Sequence, residues 1–117
     1  MPVIERISRF HDDMTAWRRV LHAHPESAFK EIRTADIIAS WLDEFGIRVH
    51  RGLGKTGVVG SLSSGGGPAV GLRADMDALF IQESNDLPHK SRHAGKMHAC
   101  GHDGHTVMLL GAARYLA

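Results

Sequence analysis

Up to Gly46 the apolar residues keep a helical spacing; beyond it they cluster in short β-prone runs, and no other feature narrows the fold as far. Ile4, Ile7, Phe10, Met14, Trp17, Val20 and Leu21 recur at gaps of three and four, which marks one face of a helix. His22-Ala23-His24-Pro25-Glu26 ends it, because proline disfavours helix at His24 and brings no donor of its own. The two histidines read as ligands or as helix-end capping and surface residues. A second helix is predicted from about Lys30 to Phe45, burying Ala35, Ile38, Ala39, Leu42 and Phe45, with Gly46 as its left-handed C-terminal cap.

Three β-prone runs follow, at Ile47 to His50, Gly57 to Leu62 and Ala69 to Ala74. Ser63-Ser64-Gly65-Gly66-Gly67-Pro68 reads as a hairpin or loose turn between the last two. Gln82 to Lys96 is polar and reads as an exposed loop, and Thr106 to Leu116 as an apolar helix buried between layers, with Asp103 as its N-cap. Helices flanking strands predict an α/β or α+β layer structure.

The chemistry concentrates near the end, in Met97-His98-Ala99-Cys100-Gly101-His102-Asp103-Gly104-His105. This stretch holds the only cysteine and three of the nine histidines. Thiolate and neutral imidazole each donate a lone pair to zinc at roughly 2.0–2.3 Å. Cys100 and His102 can reach one site, and His98, His105, Asp103, Asp75 or Asp77 could complete it. The spacing fits none of the Cys-x-x-Cys zinc-finger patterns, and His105 sits far along the incoming helix to share a metal with both others. The plainer alternative is a free buried cysteine among surface histidines.

Leu72-Arg73-Ala74-Asp75-Met76-Asp77-Ala78-Leu79 places two acids at the end of the third run, where α/β enzymes place chemistry. A turn there is expected to bring them together, one ligating a metal or orienting a ligand histidine. The alternative is that Asp75 pairs with Arg73 or caps a turn. Gly52-Leu53-Gly54-Lys55-Thr56-Gly57 imitates a nucleotide loop, but Val49 stands where a phosphate loop needs glycine and no helix pattern follows.

With 117 residues and a net charge of +1, the chain is at most one domain and offers no reason to expect nucleic acid or an anionic membrane as partner. No apolar run approaches the roughly 20 residues of a membrane span. The amino-terminal residues do not read as a secretory signal, and a lone cysteine fits a reducing compartment, so the expected location is the cytoplasm.

Gly71 to Leu79, followed by Gly95-Lys96-Met97-His98-Ala99-Cys100-Gly101-His102-Asp103-Gly104-His105-Thr106, closely resembles the hippurate hydrolase family of N-acyl-L-amino acid amidohydrolases and carboxypeptidases. Trp17-Arg18-Arg19, His22 to Glu26 and Gly52 to Gly60 resemble the family's amino-terminal pattern, so the likeness runs along essentially the whole chain. Phe80 departs from it, standing where the family usually has proline.

The resemblance implies the amino-terminal part of a metallopeptidase-like α/β catalytic domain over residues 1–117, with the lid or dimerisation domain and the rest of the catalytic domain absent. It implies Cys100 and His102 as ligands in a two-metal site, and Asp75 and Asp77 as supporting acids, Asp77 orienting a ligand. The cofactor expected is a pair of divalent ions: zinc, manganese, cobalt or nickel. The reaction implied is hydrolysis of a small N-acyl amino acid to a carboxylic acid and an amino acid, by proteins that are often homo-oligomers. The family's general-base glutamate and remaining ligands have no counterpart here, so the 117-residue chain is expected to be inactive alone. The competing reading is a non-enzymatic metal-binding or interaction module.

Overall fold

The computed structural model describes residues 2–117. In chain order they form α1 (Glu5–Ser8), α2 (His11–Ala23), α3 (Ile32–Glu44), β1 (Arg48–Leu53), β2 (Gly57–Ser61) and α4 (His102–Leu116). The first helix is therefore two, not one. At Phe10, ψ rises to 0° and its N–H bonds to the Ile7 carbonyl at 2.9 Å, a tightened turn that breaks the α pattern. The bend sets the Phe10 ring beneath the Arg114 guanidinium, 4.2 Å from its centroid.

The end of α2 follows the proline argument: His24 leaves the helical region at φ −127° and ψ 61°. At its start α3 has no cap of its own, so Glu26 serves from upstream. Its carboxylate accepts from the Arg33 N–H at 3.1 Å and from the Thr34 N–H and hydroxyl, each at 2.6 Å. At the other end Gly46, at φ 77°, donates to the Asp43 carbonyl and Ile47 to that of Leu42, a Schellman closure.

β1 and β2 form an antiparallel hairpin in which Val49 faces Gly60 and Arg51 faces Val58. Gly52, at φ 90°, makes a bulge before the turn at Gly54 and Lys55, both left-handed. The nucleotide-loop look-alike is thus a β-turn between strands. Ile38, Leu42, Ile47 and Leu110 form the buried core, with Trp17, Trp41, Phe45, Val49, Val58 and Met76 packed around it. The Trp17 ring lies 5.6 Å from Trp41 and 5.5 Å from Phe45.

Three further expectations are corrected. The hairpin turn lies at Gly54–Thr56 and not at Ser63–Pro68, and Ala69 to Ala74 belongs to no sheet among the described residues. A β-prone run becomes a strand only where another backbone lies alongside, and here Val70 is 86% exposed. α4 is also only half covered: Val107 and Leu110 are buried, whereas Met108 and Leu116 are exposed.

A Cβ on Gly57 would stand 2.2 Å from the Leu53 carbonyl oxygen. On Gly60 it would meet the Ile47 Cγ2 at 2.9 Å, an atom that can shift. Gly57→Ala is therefore expected to cost about 1–3 kcal/mol in urea unfolding, and Gly60→Ala less. The reverse order would contradict the hairpin geometry.

Candidate metal centre

The segment carrying Asp75 and Asp77 is irregular but tied down. The Ala78 N–H donates to the Glu26 carbonyl at 2.8 Å, Leu79 and Met97 exchange two backbone bonds of 3.0 Å, and the Thr106 hydroxyl donates to the Asp75 carbonyl at 2.9 Å. No turn is needed for the acids to converge. An extended chain puts residues two apart on one side, and Asp75 and Asp77 both face the start of α4 while Met76 packs against the core.

α4 begins after Gly101, whose φ of 111° suits only glycine. From its first turn, His102 donates through Nδ1 to the Asp77 Oδ1 and carbonyl, both at 2.9 Å. With a backbone carbonyl as one acceptor, Nδ1 is the donor, and Nε2 faces Asp75 Oδ2 at 3.4 Å. One turn on, His105 donates through Nδ1 to Asp75 Oδ1 at 2.9 Å. This bond outweighs partial burial and, with the nearby His102, holds the Asp75 carboxyl below the usual carboxylate range. Asp75 pairs with histidines, not with Arg73.

Asp75, His102 and His105 each offer a donor atom within 4.8 Å of the others. The helix start thus brings His105 to the site that its spacing had set it apart from: residues three apart share a helix face. Cys100 is not part of that group and is exposed, two residues before His102 across the flexible glycine. Imidazole with carboxylate is a donor set that suits zinc and its neighbours. His98 is buried, which holds its ring below the ordinary histidine range, and its nitrogens have no hydrogen-bond partner among the described residues.

Asp103 is not the N-cap. It lies inside the first turn, 2% exposed, where Oδ2 accepts from Arg18 Nε at 3.0 Å and from His22 Nδ1 at 2.9 Å. His22 is equally buried, neither capping nor on the surface, and its Nε2 meets Glu83 Oε1 at 3.1 Å. Glu83 sits in the stretch expected to be exposed, yet it is buried and also accepts from the Ser91 N–H at 2.8 Å and from Asn85 at 3.1 Å. The His22 ring thus bridges the two buried carboxylates, one at each nitrogen, and Arg18 adds a second contact to Asp103. Only Arg18 and His22, four apart on α2, carried a local hint of it; nothing near Glu83 in sequence did.

Burial works to raise the Glu83 carboxyl, but the Ser91 amide, Asn85 and His22 outweigh it and hold it below the usual range. Its contribution to stability is therefore present above the unfolded value of about 4.3 and is lost as pH falls through the lower folded value. Unfolding free energy should fall as the pH drops below about 4.3, and fall less in Glu83→Gln. Parallel acid profiles for the two chains would contradict this.

Residues 71–117, which carry all of these acids and ligand candidates, match the peptidase family M20/M25/M40. The whole chain is 49% identical, over 118 aligned positions, to a hippurate hydrolase of Campylobacter jejuni, covering 31% of that protein. An N-acyl-L-amino acid amidohydrolase of Geobacillus stearothermophilus is 49% identical over 115 residues, 94% of this chain and 31% of the relative. The chain is similar along its length to amidohydrolases, and its last residues, 71–117, match the M20 family model. In three dimensions it resembles the Bacillus subtilis protein YXEP, described as a dinuclear metal binding peptidase of that family. The TM-score is 0.88 at 43% identity, over 93% of this chain and 31% of YXEP. The chain thus spans about a third of these relatives and has the mixed helix-and-strand fold of the part it matches. No helix among the described residues is long and apolar enough to cross a membrane.

Proposed function

We propose that the chain supplies one side of the active site of a metal-dependent amidohydrolase that cleaves N-acyl amino acids of the hippurate type. The observation that carries this reading is the ring of His102, held through Nδ1 by Asp77 with Nε2 facing Asp75. A carboxylate on the far nitrogen orients a ligand histidine and strengthens it as a donor. In this reading Cys100 and His102 are metal ligands, Asp77 orients His102, and Asp75 is the second acid at the site. Bound divalent metal, zinc first among zinc, manganese, cobalt and nickel, would polarise the amide carbonyl and activate water. Cys100 acts as a ligand thiolate and not as a nucleophile. The dinuclear description of YXEP and the names of the relatives support a two-metal hydrolase. Residues 1–117 are one part of its catalytic domain, without activity alone. Cytoplasmic location, a small-molecule substrate, no nucleic-acid or membrane partner and assembly as a homo-oligomer complete the proposal.

A chimaera tests it. The chain replaces the matching segment of the Campylobacter hippurate hydrolase, and release of glycine from hippurate is measured with added metal. Turnover is expected in the chimaera, a loss of about 10–100-fold on Asp77→Ala, and none in the 117-residue chain alone. A folded, metal-loaded chimaera inert toward a panel of N-acyl amino acids would overturn the reading, and turnover by the chain alone would overturn its inactivity.

A further inference from the structure

The turn that presents Cys100 and His102 has little to hold it locally. Gly101 is left-handed, and no side chain caps the helix that starts after it. Beside the bonds of His102, His105 and Thr106 to Asp77 and Asp75, that turn is anchored from its inner side by Asp103, the residue after His102, and Asp103 is held by groups from two distant parts of the chain. Arg18 and His22 reach it from α2, and Glu83 grips the far side of the His22 ring. The side chains of Asp103, His22 and Glu83 are 2%, 4% and 2% exposed, so each has one packed position. Glu83 is in turn held by Ser91 and Asn85. Successive residues of a helix differ by about 100° in direction. Pinning Asp103 inward therefore helps set the direction in which His102 and His105 leave the helix, where Asp77 and Asp75 receive them.

We infer that His22 and Glu83 are positioning residues for the metal-binding turn, acting on His102 through Asp103. The inference rests on the metal-ligand reading of Cys100 and His102 above. Neither residue touches Asp75, Asp77 or the ring of His102; their effect passes through the rotation of the first turn of α4. A purely stabilising role makes a different prediction, since a stabilising buried acid elsewhere should serve as well. Glu31 is such an acid: it is buried and accepts from the Thr56 hydroxyl at 2.7 Å, outside the hydrogen-bonded group of Arg18, His22, Glu83 and Asp103.

The test is cobalt(II) binding to the full 117-residue chain, with affinity read by competition against a chromophoric chelator and the ligand set by its thiolate and ligand-field absorption. Glu83→Gln is expected to weaken cobalt binding about tenfold and to change the ligand-field bands. Glu31→Gln is expected to lower the urea midpoint while leaving affinity and spectrum as in the parent. Asn85→Ala, at an exposed position, loosens Glu83 without emptying the network, and should weaken binding in the same direction, by about threefold. It carries the test if Glu83→Gln does not fold. Unchanged affinity in the Glu83 and Asn85 variants, or an equal loss in Glu31→Gln, overturns the inference and leaves the metal reading standing. A parent chain with no Cys100-dependent thiolate band overturns the metal reading, and the inference with it.

Discussion

Asp103→Ala should lower the unfolding free energy by about 3–5 kcal/mol, the scale on which breaking a buried charge pair destabilises a protein. The carboxylate accepts from both Arg18 and His22, and at 2% exposure no water can take its place. Removing it leaves the buried His22 ring with only the Glu83 carboxylate across from it, and leaves Arg18 to turn toward solvent. Single domains hold only about 5–15 kcal/mol in all, so much of the variant population should be unfolded at moderate temperature. Trp17 and Trp41, packed together in the core, give the fluorescence signal for urea titrations. Asp103→Asn keeps the shape but turns an amide N–H₂ toward donors, and should fall between the two. A loss under about 1 kcal/mol for Asp103→Ala would mean that the network is not the buried ionic group described here.

The second large effect is on metal. A structural zinc site of four ligands is worth about 10–16 kcal/mol, or about 3 kcal/mol per ligand, which is roughly a hundredfold in affinity. His102→Ala and Cys100→Ala should each weaken zinc binding by that factor in competition titrations. The two losses should differ in kind. Cys100→Ala removes the thiolate absorption of the cobalt form, whereas His102→Ala keeps it. His105→Ala separates the family ligand pair from the geometric cluster of Asp75, His102 and His105. A small effect there, beside large effects at Cys100 and His102, assigns His105 to holding Asp75; a hundredfold loss makes it a ligand.

The sequence by itself determined the elements whose causes are local. Helical spacing marked α3, and Gly46 marked its end, because a left-handed residue closes the last carbonyls without long-range help. Pro25 marked the end of α2 for the same kind of reason, a missing donor and a steric clash. The absence of a helix after Gly57 was enough to set the nucleotide motif aside, and the density of Cys100, His102 and the paired acids pointed to the region where Asp75, Asp77 and His102 meet. The resemblance carried by those same residues named the family.

Tertiary structure alone decided what depends on partners distant in sequence. Ala69 to Ala74 has β propensity, but pairing is a property of two backbones, and none lies beside it here. Whether Asp103 caps a helix or enters a buried ion network cannot be read from its neighbours, since the groups that claim it are 81 and 85 residues away. Glu83 in a polar stretch looks like a solvated loop acid until the His22 ring closes over it. His105 looked too far along its helix until the first turn began at His102 and set both rings on one face. Short-range rules fix backbone shape; which charges are buried, and against what, is settled only when the helices pack.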